Sequence, residues 1–137
     1  MKTIILYYSF TGKTKALAVK KAGEINADIE EISEEKKMSF LGSFLIGAPK
    51  ALKRKTVKIK PISADLKNYE KIIIMAPVWA NHPAPAFNNI AECIPSGKKI
   101  EIIMVSGGGG TKKTSQKTTE ILTARGCEVT DYTDVKG

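Results

Sequence analysis

The chain has 137 residues and a formal net charge of +8, with 42% hydrophobic and 26% charged residues. That length suits a single domain spanning residues 1–137, and it buries enough apolar surface to fold without a disulfide or a structural metal. No apolar run approaches the roughly 20 residues of a membrane-spanning helix, so a cytoplasmic protein with no membrane partner is expected.

The first element is the apolar run Thr3 to Tyr8, rich in β-branched and aromatic residues and read as a strand. Its apolar part is too brief for a signal peptide and no small-residue cleavage site follows. Lys13 to Ile25 has Thr14, Ala18, Ala22 and Ile25 at helical spacing, with lysines on the other side. Asp28 to Ile32 alternates as a short half-exposed strand. Ser39 to Leu52 carries Phe40, Phe44 and Ala48 on one side, although Gly42, Gly47 and Pro49 interrupt a helix there. Lys53 to Asn68 reads as a polar connection with a short helical turn.

In the second half, Lys71 to Ala76 is a continuous apolar run, the signature of a central parallel strand covered on both faces. Pro85 to Cys93 follows as a short helix, and Lys99 to Val105 as a second buried strand. Thr111 opens a polar helix that runs to Arg125, where Gly126 stops it. Cys127 to Tyr132 is the last strand. Strands alternating with helices call for a parallel sheet with right-handed crossovers. Ligands in such sheets bind outside the carboxyl ends of the strands, where the strand order reverses.

Three loops lie at that edge. The first is Ser9-Phe10-Thr11-Gly12-Lys13-Thr14. Gly12 permits a tight turn, and the Ser9, Thr11 and Thr14 hydroxyls gather with free amides at a helix start, which suits a phosphate. It is neither a Walker loop nor G-x-G-x-x-G. Helix capping alone would also account for these residues. The pattern S-x-T-G-x-T after an amino-terminal strand resembles the FMN phosphate loop of the flavodoxin family. The resemblance implies phosphate contacts from the Ser9, Thr11 and Thr14 side chains and from the amides of Phe10, Gly12 and Lys13. It also implies a flavodoxin-like α/β fold: a three-layer α/β/α sandwich around a five-stranded parallel sheet of order 2-1-3-4-5. The fifth helix of the family is expected to be missing, which would leave apolar sheet surface for a homodimer.

The second loop, Pro77-Val78-Trp79-Ala80-Asn81-His82-Pro83-Ala84-Pro85, resembles the P-x-W-x-x-x-P-A-P stretch that borders the flavin ring in short bacterial members. Trp79, the one tryptophan, offers a flat face for stacking; core packing is the alternative. Asn81 tolerates positive φ, so the backbone of Ala80, Asn81 and His82 is expected to supply a peptide that turns toward the reduced flavin. A solvent-exposed role for His82 stands beside a redox-linked one. The third loop, Ser106-Gly107-Gly108-Gly109-Gly110, lets amides approach the flavin closely, or is simply a flexible turn.

Two features stand apart from the site. Cys93 and Cys127 are distant and in no metal or redox spacing, and a single histidine excludes histidine-rich metal sites. Lys50, Lys53, Arg54, Lys55, Lys58 and Lys60 cluster without an acid, after an acidic run of Asp28, Glu30, Glu31, Glu34 and Glu35. A solvated surface explains this segment; no aromatics interleave, so nucleic acid is not the expected partner. The reading is thus an FMN-binding electron carrier whose basic surface prefers acidic redox partner proteins. The alternatives are an FMN-dependent oxidoreductase taking hydride from NAD(P)H, and a non-redox binding module on the same fold.

Overall fold

In the computed structural model the described residues are 2–33, 59–79, 82–106 and 114–136. Five parallel strands form the sheet: β1 (Thr3–Tyr7), β2 (Asp28–Glu31), β3 (Lys71–Trp79), β5 (Lys99–Ser106) and β6 (Glu128–Lys136). Their spatial order is β2-β1-β3-β5-β6, the expected 2-1-3-4-5 once the two-residue strand β4 (His82–Pro83) is set aside. Strand β4 pairs antiparallel with the end of β3. Three helices are described, α1 (Lys13–Ile25), α2 (Pro85–Cys93) and α3 (Ser115–Thr123), with a 3-10 turn at Leu66–Asn68.

The middle of the sheet is made of near-continuous aliphatic strands because both of its faces are covered. Ile72 and Ile74 join Ile4, Leu6, Ile100, Ile102 and Met104 in the larger core, which α2 and α3 close with Phe87, Ile90 and Leu122. Phe87 is fully buried, a contribution of about 1.5–3 kcal/mol relative to an exposed ring. Ile5, Tyr7, Ile73, Met75 and Val105 form the smaller core on the other face, under Ala18 and Ala22 of α1. The three layers are therefore α1, the sheet, and the α2–α3 pair.

Local chemistry sets the helix bounds. Gly12 precedes α1 with φ +95°, a left-handed conformation that costs a side-chain-bearing residue strain. Asn26 ends α1 at φ 55°, its amide returning to the Ala22 carbonyl. Pro85 occupies the first turn of α2, where its missing amide is not needed. Gly126 turns the chain after α3 at φ +84°.

Several expectations need correction. Strand β3 does not end at Ala76 but runs through Pro77 and Val78 to Trp79, so part of the second loop is sheet. Pro77 stands in the parallel ladder beside Val105, and its carbonyl accepts the amide of Ala84 at 2.9 Å. Strand β6 extends to Lys136, past Tyr132, because it pairs with β5 all the way to Ser106. Ile25 is 45% exposed rather than part of the buried stripe; it is the last helical residue, and the chain turns away after it. Helix α3 is shorter than the sequence suggested, with Thr114 as its cap position, while Thr111 lies outside the described residues. The expected helix at Ser39 to Leu52 and most of the basic Lys50 to Lys60 segment also lie outside them, Ile59 and Lys60 excepted.

Candidate functional site

The connection from β1 to α1 brings its polar groups together at the carboxyl end of the sheet. The first four amides of a helix have no intrahelical acceptor. In α1 the Ser9 hydroxyl oxygen accepts two donors at this end, the amides of Gly12 at 3.0 Å and Lys15 at 3.2 Å. The amide of Ala16 already bonds the Gly12 carbonyl. The amides of Lys13 and Thr14 therefore carry the free positive end of the helix. No acidic residue stands in this first turn.

Thr14 is the side chain that capping does not explain. It is 2% exposed, and among the described residues its hydroxyl has no hydrogen-bond partner. A buried hydroxyl left unpaired costs about 1–3 kcal/mol. Thr14 borders a cleft of about 170 Å³ together with Phe10, Thr11 and Lys13 of the same loop. Pro77 and Val78 of β3 and Val105 and Ser106 of β5 complete the lining. One side of the cleft is thus hydroxyl and amide, the other apolar strand.

Eight of the residues singled out from sequence fall at this place. Phe10, Thr11, Lys13, Thr14, Pro77, Val78 and Ser106 line the cleft, and Ser9 holds the loop in shape behind it. Gly12 supplies the turn rather than a wall. The backbones of Trp79 and His82 face each other across the β3–β4 ladder. Ala80 and Asn81, and Gly107, Gly108, Gly109 and Gly110 of the third loop, lie outside the described residues. Val105 is the lining residue that sequence reasoning missed. The signal was present: it is the last apolar residue of a buried strand, directly before the glycine run.

Two tyrosines near the β1–β2 side have altered acidity. Burial, and then the neighbouring Glu31 carboxylate, raise the Tyr7 phenol above its ordinary value. Tyr69 donates a 2.7 Å hydrogen bond to Asp28, which raises its pKa, with burial and the charges of Asp28 and Glu30 adding to the effect. Tyr69 lies at the opposite end of the strands from the cleft, where Lys2 sits 5.5 Å from its ring centroid. Among the described residues no group of acids, histidines and cysteines is arranged to hold a metal ion. None of the described helices is long and apolar enough to cross a membrane.

No family model matches the sequence, and no match is found among curated proteins. Solved structures do match. A flavoprotein of Lactobacillus acidophilus NCFM, crystallised in complex with FMN, is similar over 97% of this chain and 92% of its own, with 24% identity and a TM-score of 0.82. Oxidised flavodoxin 1 of Bacillus cereus is 20% identical over 99% of this chain and 84% of its own, with a TM-score of 0.59. A flavodoxin of Fusobacterium nucleatum bound to flavin mononucleotide is 17% identical over 94% and 69%, with a TM-score of 0.54. Strand order, the helices on both faces and these likenesses agree: the chain has the flavodoxin-like fold.

Proposed function

We propose that this chain binds FMN in the cleft at the carboxyl end of the sheet and serves as an electron carrier. The observation that supports this most strongly is Thr14, a buried hydroxyl with no partner among the described residues, set in the first turn of α1 beside amides that are themselves free. Folding leaves that polar group unsatisfied, and a phosphate oxygen would satisfy it. The similar Lactobacillus flavoprotein was crystallised with FMN, which supports the same ligand here.

When bound, the flavin supplies the capacity to accept and release one or two electrons. The residues present fit it. The Thr14 hydroxyl and the amides of Lys13 and Thr14 would donate to the phosphate, and Thr11 lies at the rim to add another donor. Ser9 has both acceptor positions taken by amides, so its own proton remains to be donated. The Lys13 ammonium offsets phosphate charge at the lip. Pro77, Val78 and Val105 give an apolar wall that excludes water from the ring side. The basic surface suits acidic redox partners.

The test is a titration of the purified protein with FMN, followed by flavin fluorescence, with riboflavin as the control that lacks the phosphate. Quenching by FMN at concentrations at least tenfold below those needed for riboflavin is expected. Equal quenching would remove the phosphate loop from the reading, and none at all would overturn FMN binding. Bleaching of the loaded protein by NADH or NADPH alone would make it a reductase instead of a carrier.

A further inference from the structure

Among the described residues, the sheet face that carries α1 is covered on one half. Helix α1 packs over β1, β2 and β3. Beside it a groove of about 290 Å³ is walled by Leu17 and Glu24 of α1 and floored by Met75, Ile103 and Val135. Both α2 and α3 contribute their buried residues to the core on the opposite face. Among the described residues, no helix lies over β5 and β6 on the α1 side, although parallel strands are ordinarily covered on both.

The charges around this groove are divided in a way that defines its complement. Glu101 projects from β5 toward α1, where Lys21 holds it at 3.4 Å and Lys71 at 3.2 Å. It is therefore already neutralised. Two exposed charges flank it with no ion-pair partner among the described residues, Lys20 on α1 and Asp131 on β6. Asp131 is the ladder neighbour of Glu101, so it points to the same face. Lys20 neighbours Lys21 on α1 and Asp131 neighbours Glu101 in the sheet, so the Lys21–Glu101 ion pair sets the two exposed charges at a similar level along the strands. Helix α1 also presents a low outer ridge. Ala16, Lys20 and Gly23 lie on the side away from the buried Thr14, Ala18 and Ala22, and nothing stands within 4 Å of where a Gly23 side chain would begin.

We propose that a second copy of this chain covers the face, with the α1 helix of each copy lying over β5 and β6 of the other. A two-fold axis parallel to the strands places the two helices side by side in one layer between two sheets. Such an axis preserves height along the strands, so Lys20 of each copy meets Asp131 of the other, and the pair forms twice. The small residues on either side of Lys20 let the opposing sheet approach. An interface of this kind is isologous, its patch complementary to itself. The arrangement leaves both clefts open at the same end of the dimer.

Sedimentation velocity over a range of protein concentrations gives the first reading, a concentration-dependent dimer. The decisive step uses two charge reversals, Lys20→Glu and Asp131→Lys, made in separate chains. Each places like charges at both contacts in its own dimer, so each variant alone should dissociate at least about tenfold more readily. Mixed together they restore an attractive pair at both contacts, and the mixture should dimerise as the unaltered protein does. Both residues are exposed, and an unchanged circular dichroism spectrum and melting temperature show that the variants fold. A chain that stays monomeric at every concentration overturns the proposal, as does a dimer that neither reversal weakens.

Discussion

The hydroxyl oxygen of Ser9 lies 3.2 Å from the amide nitrogen of Lys15, six residues further on, and accepts its hydrogen bond. One short side chain thus spans the whole β1–α1 connection and fixes its curvature before any ligand arrives. Replacing it by alanine, Ser9→Ala, is expected to cost about 1 kcal/mol of stability through loss of the cap. FMN affinity should fall as well, because a preorganised loop becomes one that must be ordered on binding. Urea unfolding and FMN titration of the same variant measure the two effects.

Thr14→Val separates binding from stability. The substitution keeps the shape of the side chain and removes a buried hydroxyl that has no partner among the described residues. The ligand-free protein should become more stable by about 1 kcal/mol. FMN affinity should drop by roughly tenfold or more, the loss of a hydrogen bond to a charged group, while riboflavin affinity stays unchanged. Loss of stability in the ligand-free variant would show that the hydroxyl is satisfied by folding alone.

Gly12→Ala tests backbone rather than side-chain chemistry. A Cβ at this position would touch nothing within 4 Å, but φ is +95°. Steric clash is therefore absent and conformational strain is the whole effect, about 1–2 kcal/mol. Thermal unfolding should register it, and Gly12→Asn, which tolerates the left-handed region better, should recover part of the loss.

Glu30 ties β2 to the segment that leads into β3. Its carboxylate accepts from the Ser63 amide at 2.8 Å, the Ser63 hydroxyl at 3.0 Å and the Ala64 amide at 2.9 Å. Glu30→Ala leaves the Ala64 donor, partly buried, without a partner, and a loss of about 1–3 kcal/mol is expected in urea unfolding. Ser63→Ala, which removes one of the three donors and leaves both amides bonded, should cost less.

Tyr69 makes stability depend on high pH. Its folded-state pKa is raised chiefly by the hydrogen bond to Asp28, so the folded state holds this proton more tightly than the unfolded chain does. The associated stability is complete below the unfolded value near 10 and is lost as pH rises through the folded one. Stability should decline above pH 10, and less steeply in Tyr69→Phe. Ultraviolet difference titration should lose one late-ionising tyrosine in that variant.

The elements legible in the sequence were those with both a periodic apolar pattern and a punctuating residue. Helix α1 has Gly12 before it and Asn26 after it, and α2 begins at Pro85; the bounds of both are as read. The end of β3 was hidden by Pro77, which cannot donate to a ladder but here remains in one through its carbonyl. The second half of β6 was hidden because Asp131, Thr133 and Asp134 are exposed and break any apolar run. The polar side of the cleft was readable because hydroxyls and a glycine between a strand and a helix have few other uses. Its apolar wall was not, since Val105 differs from any core valine only in where the strand stops. The charge division around the α1 groove was likewise invisible, because it depends on the pairing of β6 with β5.

That pairing contains one irregularity, between Ile100 and Glu101, where Val129 and Asp131 are successive partners and Thr130 is left between them. The Thr130 hydroxyl donates to the Ile100 carbonyl at 3.3 Å, anchoring the extra residue. Everything beyond it is shifted in phase by one residue: Tyr132 packs on the larger core and Val135 on the smaller. Were Thr130 instead paired with Glu101 in a regular ladder, every residue after it would exchange inside for outside, Asp134 turned toward α1 and Val135 away from it. The bulge therefore decides which face each of the six residues after it presents, and a deletion of Thr130 would keep those faces while straightening the strand.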